Sequence, residues 1–222
     1  MNRFALLGLG ALALAACSKE PSPPEPGSVP APTASAPAAP APAPASTLQP
    51  PSFDCAKATS DAEKWVCTDA ELSRLDVQLA QRYKQVQSSP DELDIAAEQR
   101  GWIKGRDACM KAVDPRQCLV ESYKTRLVEL VINGGGIPVP PTVTYQCDDD
   151  VIPVSAAFYN DIDPAAAVIH WGNDRAIVFP VPVTAEANNG GRWRREGVDL
   201  RNHDGQTTLE FYGTTLQCKV AG

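Results

Sequence analysis

Cysteine content is the feature that most constrains how this 222-residue chain can fold, because the chain carries seven cysteines. The first, Cys17, follows an apolar run over residues 4–14 that has the length of a signal-peptide core and is too short to span a membrane. The other six form an even set, and exported proteins mature in oxidising compartments where cysteines pair. The sequence therefore predicts three disulfides, and it argues against a catalytic thiol because an oxidised cysteine cannot attack a substrate.

The residues around Cys17 also predict how the chain is held in the cell envelope. The stretch Leu14-Ala15-Ala16-Cys17 is typical of a bacterial lipobox, in which the cysteine is acylated and becomes the mature N-terminus. Ser18 follows in place of an aspartate, which in a Gram-negative cell predicts sorting to the outer membrane. The alternative is an ordinary signal peptide with an incidental cysteine. We expect a lipid-anchored protein that faces the periplasm or the cell surface.

The next segment, residues 18–52, consists mainly of proline, alanine and serine. Proline at this density favours extended polyproline II and leaves too few apolar side chains for a core. Fully extended at the polyproline rise, the segment would reach roughly 100 Å. We predict a disordered, semi-rigid spacer that carries the folded part away from the lipid anchor.

Charge and residue chemistry exclude several functions. The formal net charge of −7 argues against nucleic acid and against electrostatic attachment to an anionic membrane surface. It favours a basic partner, because complementary charge speeds encounter. No grouping of side chains predicts acid–base or nucleophilic catalysis, so we expect neither an enzyme nor a bound cofactor.

Residues 53–133 are predicted to form a small bundle of three amphipathic helices. Ser60-Asp61-Ala62-Glu63 and Thr68-Asp69-Ala70-Glu71 both have the pattern of a capping box at a helix start. Ser89-Pro90-Asp91-Glu92 and Asp114-Pro115 predict two further starts, and Asn133-Gly134 predicts the last helix end. Apolar side chains recur at three- and four-residue spacing, which is typical of helices that bury one face. They are Leu72, Leu75, Leu79 and Tyr83, and then Leu119, Tyr123, Leu127 and Leu130.

Four cysteines lie near the ends of these predicted helices: Cys55, Cys67, Cys109 and Cys118. Three pairings are possible, and the sequence does not decide among them. We favour the local bonds Cys55–Cys67 and Cys109–Cys118, because each would join an irregular segment to a helix end. Either bond would stabilise the bundle by about 3 kcal/mol through loop closure.

A Gly/Pro linker at residues 134–142 precedes a second domain at residues 143–222, where the pattern changes to short strands. Strands are predicted at residues 144–147, 151–154, 168–171, 175–179, 192–196 and 208–212 from their β-branched and aromatic content. Turn residues at 172–174 and 204–205 predict hairpins. The fold class is therefore α+β, with a helical bundle followed by a small antiparallel β-barrel or sandwich. Cys147 and Cys218 bracket the second domain and are predicted to join its first strand to its last.

The helical half resembles the LprI family of secreted or lipid-anchored proteins. The resemblance rests on Phe53-Asp54-Cys55-Ala56-Lys57-Ala58, on Leu72-Ser73-Arg74-Leu75-Asp76, and on Gln99-Arg100-Gly101-Trp102-Ile103-Lys104-Gly105-Arg106-Asp107-Ala108-Cys109. It covers nearly all of residues 53–132 and implies a helical fold. Some members of the family are credited with lysozyme inhibition, so the resemblance implies lysozyme as a partner.

The polar and aromatic residues of these motifs have structural explanations. Trp102 lies on an apolar stripe and is expected to pack in the core. Arg106 and Asp107 are adjacent, so they are expected to point to different faces and need not pair. Asp76 and Arg126 are expected to form a salt bridge between helices.

The strand half resembles the MliC family, the membrane-bound inhibitors of c-type lysozyme. The matching features are Tyr145 and Cys147, the central strands, Asn189-Gly190-Gly191-Arg192-Trp193, and the Asp204-Gly205 turn. In that family a loop serine, a tyrosine that follows it and a later turn lysine mark the inhibitory surface, and the serine and lysine enter the lysozyme cleft. Here Asn189 stands at the serine position, Trp193 at the tyrosine position and Asp204 at the lysine position. An aspartate would be repelled by the carboxylates of such a cleft.

A cluster of arginines suggests what replaces the family's cation: Arg192, Arg194, Arg195 and Arg201. A guanidinium pairs with a carboxylate through two hydrogen bonds, so we expect Asn189 with Arg192 or Arg194 to take the place of the serine–lysine pair. The alternative is that alternating arginines form the solvated face of a strand. The predicted inhibitor-loop residues are Asn189, Gly190, Arg192, Trp193, Arg194 and Asp204.

No metal site is predicted. Asp148-Asp149-Asp150 are consecutive and lack the spaced ligands of an EF-hand loop, so a solvated turn is expected. His170 and His203 are single and dispersed, which favours structural roles. The cysteine spacings do not match a zinc site.

Two functions follow from these observations. The first is an outer-membrane-anchored lipoprotein that inhibits lysozyme, with the c-type enzyme as the first candidate, by inserting a polar and basic loop into the active-site cleft. The second is a non-inhibitory binding or structural lipoprotein of the cell envelope. Two inhibitor-like halves in one chain favour the first function, and the departures at Asn189 and Asp204 favour the second.

Acylation at Cys17 gives a direct test of the envelope assignment. We expect mass spectrometry of the protein purified from membranes to show a mature chain that starts at Cys17 and carries acyl groups, because the lipobox directs both steps. An unmodified, reduced polypeptide in the cytosol would contradict both the anchor and the disulfides.

Overall fold

The computed structural model describes residues 48–87, 95–148, 152–182 and 190–221. All of them belong to one compact unit, in which helices come first along the chain and strands follow. The helices are α1 (Asp61–Thr68), α2 (Ala70–Gln87), α3 (Ile95–Ala108) and α4 (Pro115–Asn133), with 3-10 turns at Cys55–Lys57 and Cys109–Lys111. The described part thus contains four α-helices where three were predicted, because α1 and α2 are separate. None of these helices is both long and apolar enough to cross a membrane.

The first predicted capping box is confirmed at the start of α1. Ser60 Oγ accepts a hydrogen bond from the backbone N of Glu63 at 3.2 Å, and Glu63 Oε2 accepts one from the backbone N of Ser60 at 3.0 Å. These two bonds satisfy donors that the first helical turn leaves unpaired. The bonds that the Glu63 carboxylate accepts from the backbone N of Ser60 and of Thr59 lower the pKa of Glu63, because they stabilise the charged form.

The second predicted capping box is wrong by one residue. Thr68 is the last residue of α1, and its hydroxyl donates back to the carbonyl of Trp65 at 3.2 Å. Asp69 takes the capping role instead, since its Oδ1 accepts from the backbone N of Glu71 at 2.9 Å and of Leu72 at 3.0 Å. An aspartate at the junction of two helices can cap the second one directly, and this separates α2 from α1.

The helical core forms where the apolar stripes of the helices meet. Asp114 caps α4 through the backbone N of Gln117 at 2.9 Å, and the helix ends at Asn133, as predicted. The predicted start of a helix at residues 89–92 lies outside the described residues. The buried side chains of the core include Val66, Leu72, Leu75, Leu79, Leu119, Tyr123, Leu127 and Leu130.

Three disulfides close loops of different length. Cys55 bonds Cys67 and Cys109 bonds Cys118, which is the local pairing favoured above. Cys147 bonds Cys218 and joins the first strand of the second half to the last.

The second half is a closed antiparallel barrel in which each strand pairs with the next and the last pairs with the first. Its strands are β1 (Thr142–Cys147), β2 (Val154–Tyr159), β3 (Ala166–Trp171), β4 (Asp174–Pro180), β5 (Arg192–Arg195), β6 (Val198–His203), β7 (Gln206–Phe211) and β8 (Thr214–Val220). One end of the barrel, called here the β6–β7 end, carries the loops after β2, β4 and β6. The opposite end, called the β5–β6 end, carries the loops after β1, β3, β5 and β7.

Two strands were missed and one was misplaced. The strand predicted at residues 151–154 is β2, which begins at Val154 and continues through small residues that carry little β-propensity. The missed strands, β6 and β8, carry apolar side chains only at alternate positions, Val198 and Leu200 in β6 and Leu216, Cys218 and Val220 in β8, and their other positions are polar. Neither strand therefore contains the apolar β-branched or aromatic run from which the other strands were predicted.

Helix α4 packs against the outside of the barrel. Val168 on β3 and Ile177 on β4 face outward and form a buried cluster with Val128 of α4. Their strand neighbours Ile169 and Val178 face the barrel interior. Both faces of β3 and β4 are therefore buried, which accounts for the nearly continuous apolar sequence of these two strands.

Loop length predicts which of two disulfides, Cys147–Cys218 or Cys109–Cys118, contributes more to stability. Replacing Cys147 and Cys218 with alanine opens a loop with a sequence separation of 71 residues and should lower the free energy of unfolding by about 4 kcal/mol. Replacing Cys109 and Cys118, with a separation of 9 residues, should lower it by about 3 kcal/mol. Chemical denaturation followed by circular dichroism checks both values, and a larger loss from the shorter loop would contradict the prediction.

Candidate functional site

The predicted inhibitor-loop residues that the structure describes lie on β5 and at the β6–β7 end of the barrel. Asn189 lies outside the described residues, whereas Gly190 is in contact with the end of β6. A Cβ added at Gly190 would lie 1.5 Å from the carbonyl oxygen of Asn202, so no larger residue fits without moving the backbone. The backbone N of Asn202 also donates to the carbonyl of Gly191 at 2.8 Å. These contacts bring the Gly190 segment next to the Asp204 turn.

Asp204 is an exposed residue at the tip of that turn. It adopts a left-handed conformation with φ of 47°, and Gly205 follows with φ of 77°. Two successive residues with positive φ are typical of the tight turns that join antiparallel strands. His203 Nε2 lies 3.2 Å from Asp204 Oδ2, and both side chains are exposed. The turn therefore presents a carboxylate beside an imidazole, and no lysine.

Trp193 belongs to the barrel core more than to the loop. Its ring packs on Phe158 with a centroid distance of 4.7 Å, and it contacts the main barrel cluster. Its cross-strand partner Leu200 is fully buried. Trp193, predicted as an inhibitor-loop residue from the MliC resemblance, therefore has a packing role in the barrel.

Three of the four predicted arginines gather on the outer face of β5 and β6 around one carboxylate that the sequence analysis missed. Asp199, whose side chain is 6% exposed, accepts from Arg192 Nε at 3.0 Å and from Arg201 Nη2 at 2.9 Å. Arg192 Nη2 makes a further hydrogen bond to Asp199 Oδ2. Arg194 Nε is 3.8 Å from the same oxygen. We call Arg192, Arg194, Arg201 and Asp199 the arginine face.

The arginines decide the protonation state of Asp199. Burial alone would raise the pKa of this carboxyl, but hydrogen bonds from Arg192 and Arg201 and the charges of these two groups outweigh that cost. The pKa of Asp199 is lowered to about 2. Asp199 is therefore ionised at every physiological pH and neutralises part of the arginine face.

The two remaining arginines differ in their surroundings. Arg194 is 58% exposed and has the weakest contact with Asp199 among the arginines of the arginine face. Arg195 points to the opposite side of β5 and lines a cleft that helices α3 and α4 also line. The structure therefore separates Arg195 from the other three, although the sequence groups all four together.

A second network of buried charges holds the helices together. Arg106 donates to the Tyr123 hydroxyl at 3.2 Å, and this hydroxyl donates to Asp76 at 3.1 Å. Burial raises the pKa of Tyr123, so the phenol stays protonated and can donate. Arg106 also pairs with Asp107 at 2.8 Å, which contradicts the expectation that these neighbours point apart. The Arg106 side chain is long enough for its guanidinium to reach the carboxylate of Asp107.

The expected salt bridge between Asp76 and Arg126 is absent among the contacts of the described residues. Arg126 pairs instead with Glu98 at 3.1 Å and with Glu129 at 3.2 Å. Asp76 accepts from Tyr123 and from the backbone N of Ser52 at 2.7 Å. A hydroxyl and an amide satisfy this carboxylate, so it needs no arginine.

Within the part of the chain that is described, no group of three or more histidine, cysteine or acidic side chains is placed to hold a metal ion. Asp148 accepts a hydrogen bond from the backbone N of Gln217 at 3.1 Å, which ties the end of β1 to β8. Residues 149 and 150 lie outside the described residues.

The pKa of Asp199 predicts an acid dependence of stability. The folded value of about 2 lies below the ordinary value of 3.8, so its stabilisation is present above about pH 4 and is lost as the pH falls towards 2. Asp199→Asn should lower the free energy of unfolding at pH 7 by about 2 kcal/mol and flatten its decline between pH 4 and pH 2. Urea denaturation at a series of pH values measures both effects. Asp174→Asn, at an exposed position on β4, is the control and should leave the curve unchanged.

Known proteins resemble this chain in the helical region that carries the motifs described above. The model of the family described as "Lysozyme inhibitor LprI" matches residues 55–130. Lipoprotein LprI of Mycobacterium bovis and Lipoprotein LprI from two strains of Mycobacterium tuberculosis are 36% identical to this chain over 170 residues. That alignment covers 77% of this chain and 84% of each relative, so the similarity extends beyond the helices. No solved structure matches the chain.

These relatives are named as lipoproteins, and the family model that matches this chain is named for lysozyme inhibition. The matched region contains the helices, their two disulfides and the Arg106–Tyr123–Asp76 network. The identity to the mycobacterial lipoproteins, spread over most of both chains, shows that this chain belongs to the lysozyme inhibitor LprI family.

Proposed function

We propose that this protein is a lipid-anchored lipoprotein of the cell envelope that inhibits lysozyme. The observation that carries the proposal is the 36% identity to Lipoprotein LprI over 84% of that relative, together with the match to an inhibitor family at residues 55–130. The three disulfides agree with an oxidising compartment, where a lysozyme would be met.

The anchor and the spacer complete the proposal. Cys17 would carry the lipid, and Ser18 after it favours the outer membrane. The proline-rich spacer would hold the folded unit away from the membrane surface, where it can meet a large soluble enzyme. We propose c-type lysozyme as the target, because the strand half has the features of the MliC resemblance.

The arginine face and the adjacent loop are the proposed contact with the enzyme. A lysozyme cleft holds two catalytic carboxylates, so an inhibitor gains most from guanidinium and amide donors. Arg194 is the arginine best placed to give up its present partner, since it lies 3.8 Å from Asp199 and is mostly exposed. Asn189 and Gly190 would enter from the β6–β7 end, next to Arg192. Asp204 lies at the same end, so its carboxylate would be held at the rim of the enzyme's cleft, where repulsion by the catalytic carboxylates is weaker.

A lysis assay tests this contact. The soluble protein from Leu48 onward, which contains the compact unit of described residues, is added to c-type lysozyme acting on a turbid suspension of cell walls. The wild-type protein should slow the clearing. The double variant Arg192→Ala, Arg194→Ala should need roughly ten to a hundred times the concentration for the same effect, because it removes charge-assisted hydrogen bonds.

Arg175→Ala is the matched control, since Arg175 is an exposed arginine on β4 at the β5–β6 end of the barrel. Circular dichroism establishes that each variant is folded. If the double variant inhibits as well as the wild type, the contact through the arginine face is wrong and inhibition itself stands. If the wild-type protein leaves the enzyme at full speed, inhibition of c-type lysozyme is wrong, and the non-inhibitory envelope lipoprotein is the better description.

A further inference from the structure

A cleft of 550 Å³ lies between the helices and the β5–β6 end of the barrel. Helices α3 and α4 line one wall, and the β5–β6 hairpin together with the turn after β7 lines the other. Its volume lies within the range of small-molecule sites, roughly 300–1,000 Å³. The proposed contact with lysozyme uses a different surface, so this cleft has no role in that proposal.

Two aromatic side chains line opposite walls of the cleft. Trp102 on α3 is held by a hydrogen bond from its Nε1 to the carbonyl of Ser122 at 3.2 Å, and Arg106 lies 5.5 Å from its ring centre. Tyr212 follows β7, and its residue is 61% exposed. Trp102 also packs against the helical core, as expected, with its ring 5.1 Å from that of Tyr123, so only part of its ring faces the cleft, whereas Tyr212 is largely exposed there.

The conformation of Tyr212 is unusual for so large a residue. Its φ is 45°, in the left-handed region that favours glycine and asparagine. The backbone N of Tyr212 donates to the carbonyl of Gly197 at 2.7 Å, and a Cβ at Gly197 would lie 2.7 Å from the Tyr212 ring. The ring therefore rests on a glycine and is held at the mouth of the cleft. Strained residues of this kind occur preferentially at functional positions.

Arg195 supplies one hydrogen-bond donor that the fold leaves unused. Its Nε is buried and has no hydrogen-bond partner among the described residues. A buried donor without a partner is costly, and a ligand acceptor in the cleft would remove that cost. The hydroxyls of Ser122 and Thr125 line the cleft as well.

The charges of the cleft decide the class of ligand. Three carboxylates line it, those of Glu121, Glu129 and Glu196, against the single guanidinium of Arg195. This balance disfavours an anion, although Glu129 is partly neutralised by Arg126 at 3.2 Å. A neutral ligand rich in hydroxyls fits a cleft lined by both carboxylates and a guanidinium, because hydroxyls donate to carboxylates and accept from a guanidinium. Aromatic rings complement the apolar C–H faces of a pyranose.

We propose that this cleft binds a neutral saccharide. The aromatic rings of Trp102 and Tyr212 contact the C–H faces of the sugar, Arg195 donates to a hydroxyl or acetamido oxygen, and Glu121 accepts from a hydroxyl. Glu121 is already positioned, because its Oε2 accepts from the backbone N of Glu196 at 3.0 Å. This binding requires no lysozyme and would give the anchored protein a second, non-protein partner.

Isothermal titration calorimetry with the soluble protein from Leu48 onward tests the proposal in the absence of lysozyme. The probes are tri-N-acetylchitotriose and maltotriose, which are both neutral, and N-acetylneuraminic acid, which carries a carboxylate. At least one neutral trisaccharide should bind more tightly than the acidic sugar. A preference for chitotriose would indicate an amino-sugar glycan of the cell-wall type, and a preference for maltotriose a glucan.

Two variants, one at Arg195 and one at Tyr212, test whether the saccharide binds in this cleft. Arg195→Gln and Tyr212→Asn should each weaken binding about tenfold, and asparagine tolerates the left-handed φ of the turn. The matched controls are Arg175→Gln and Trp65→Ala, which remove an exposed cation and an exposed ring outside the cleft and should leave binding unchanged. Circular dichroism and thermal unfolding establish that each protein is folded.

The proposal is wrong if neither neutral trisaccharide binds, or if the acidic sugar binds more tightly than both. It is also wrong if folded Arg195→Gln and Tyr212→Asn proteins bind as well as the wild type, because the saccharide would then occupy another surface. Each of these results leaves the lysis assay untouched, so failure here is distinguishable from failure of lysozyme inhibition.

Discussion

Helix α4 is buried on two sides, and the rest of the structure depends on this double burial. One side supplies Leu119, Tyr123 and Leu127 to the helical core, and the other places Val128 on the outside of the barrel. A helix of 19 residues with so little solvent-facing surface cannot be stable alone. It requires both the other helices and the barrel, and it couples the two halves into one compact unit.

Arginine is the residue that sets the electrostatic character of both halves. A buried charge is tolerated only where opposite charges or hydroxyls satisfy it, and the helices and the barrel each provide such a network, around Arg106 and around Asp199. In the helices, Arg106 meets Tyr123 and Asp107, whereas in the barrel Arg192 and Arg201 enclose Asp199. Two described arginines nevertheless have a buried nitrogen without a hydrogen-bond partner, Nη2 of Arg126 and Nε of Arg195. Arg126 still pairs with Glu98 and Glu129, whereas no ion pair of Arg195 is found among the described residues.

Local signals in the sequence predicted the helices well, and long-range pairing explains most of what was missed. The cap at Ser60, the start of α4 and its apolar stripe depend on residues three or four apart, so they can be read along the chain. The role of Asp199 depends on the register of β5 and β6, which places it opposite Arg194 and leaves Arg192 opposite Arg201. Charged residues alternate at positions 192 and 194 and at positions 199 and 201, which is the pattern of one strand face. This pattern indicates a shared cluster only when the pairing of β5 with β6 is known.

Closure of the barrel has a consequence for how this protein can meet other molecules. Because β8 hydrogen-bonds to β1, every described strand has a neighbour on each side, although β4 and β5 pair only through Phe179–Arg194 and Pro180–Trp193. An extended peptide therefore finds little free strand edge in the described barrel, and recognition by backbone pairing is disfavoured. Whatever binds must be recognised through side chains, turns and clefts. For the lipid-anchored protein proposed above, the same geometry is a safeguard against indiscriminate β-sheet association with other exported chains.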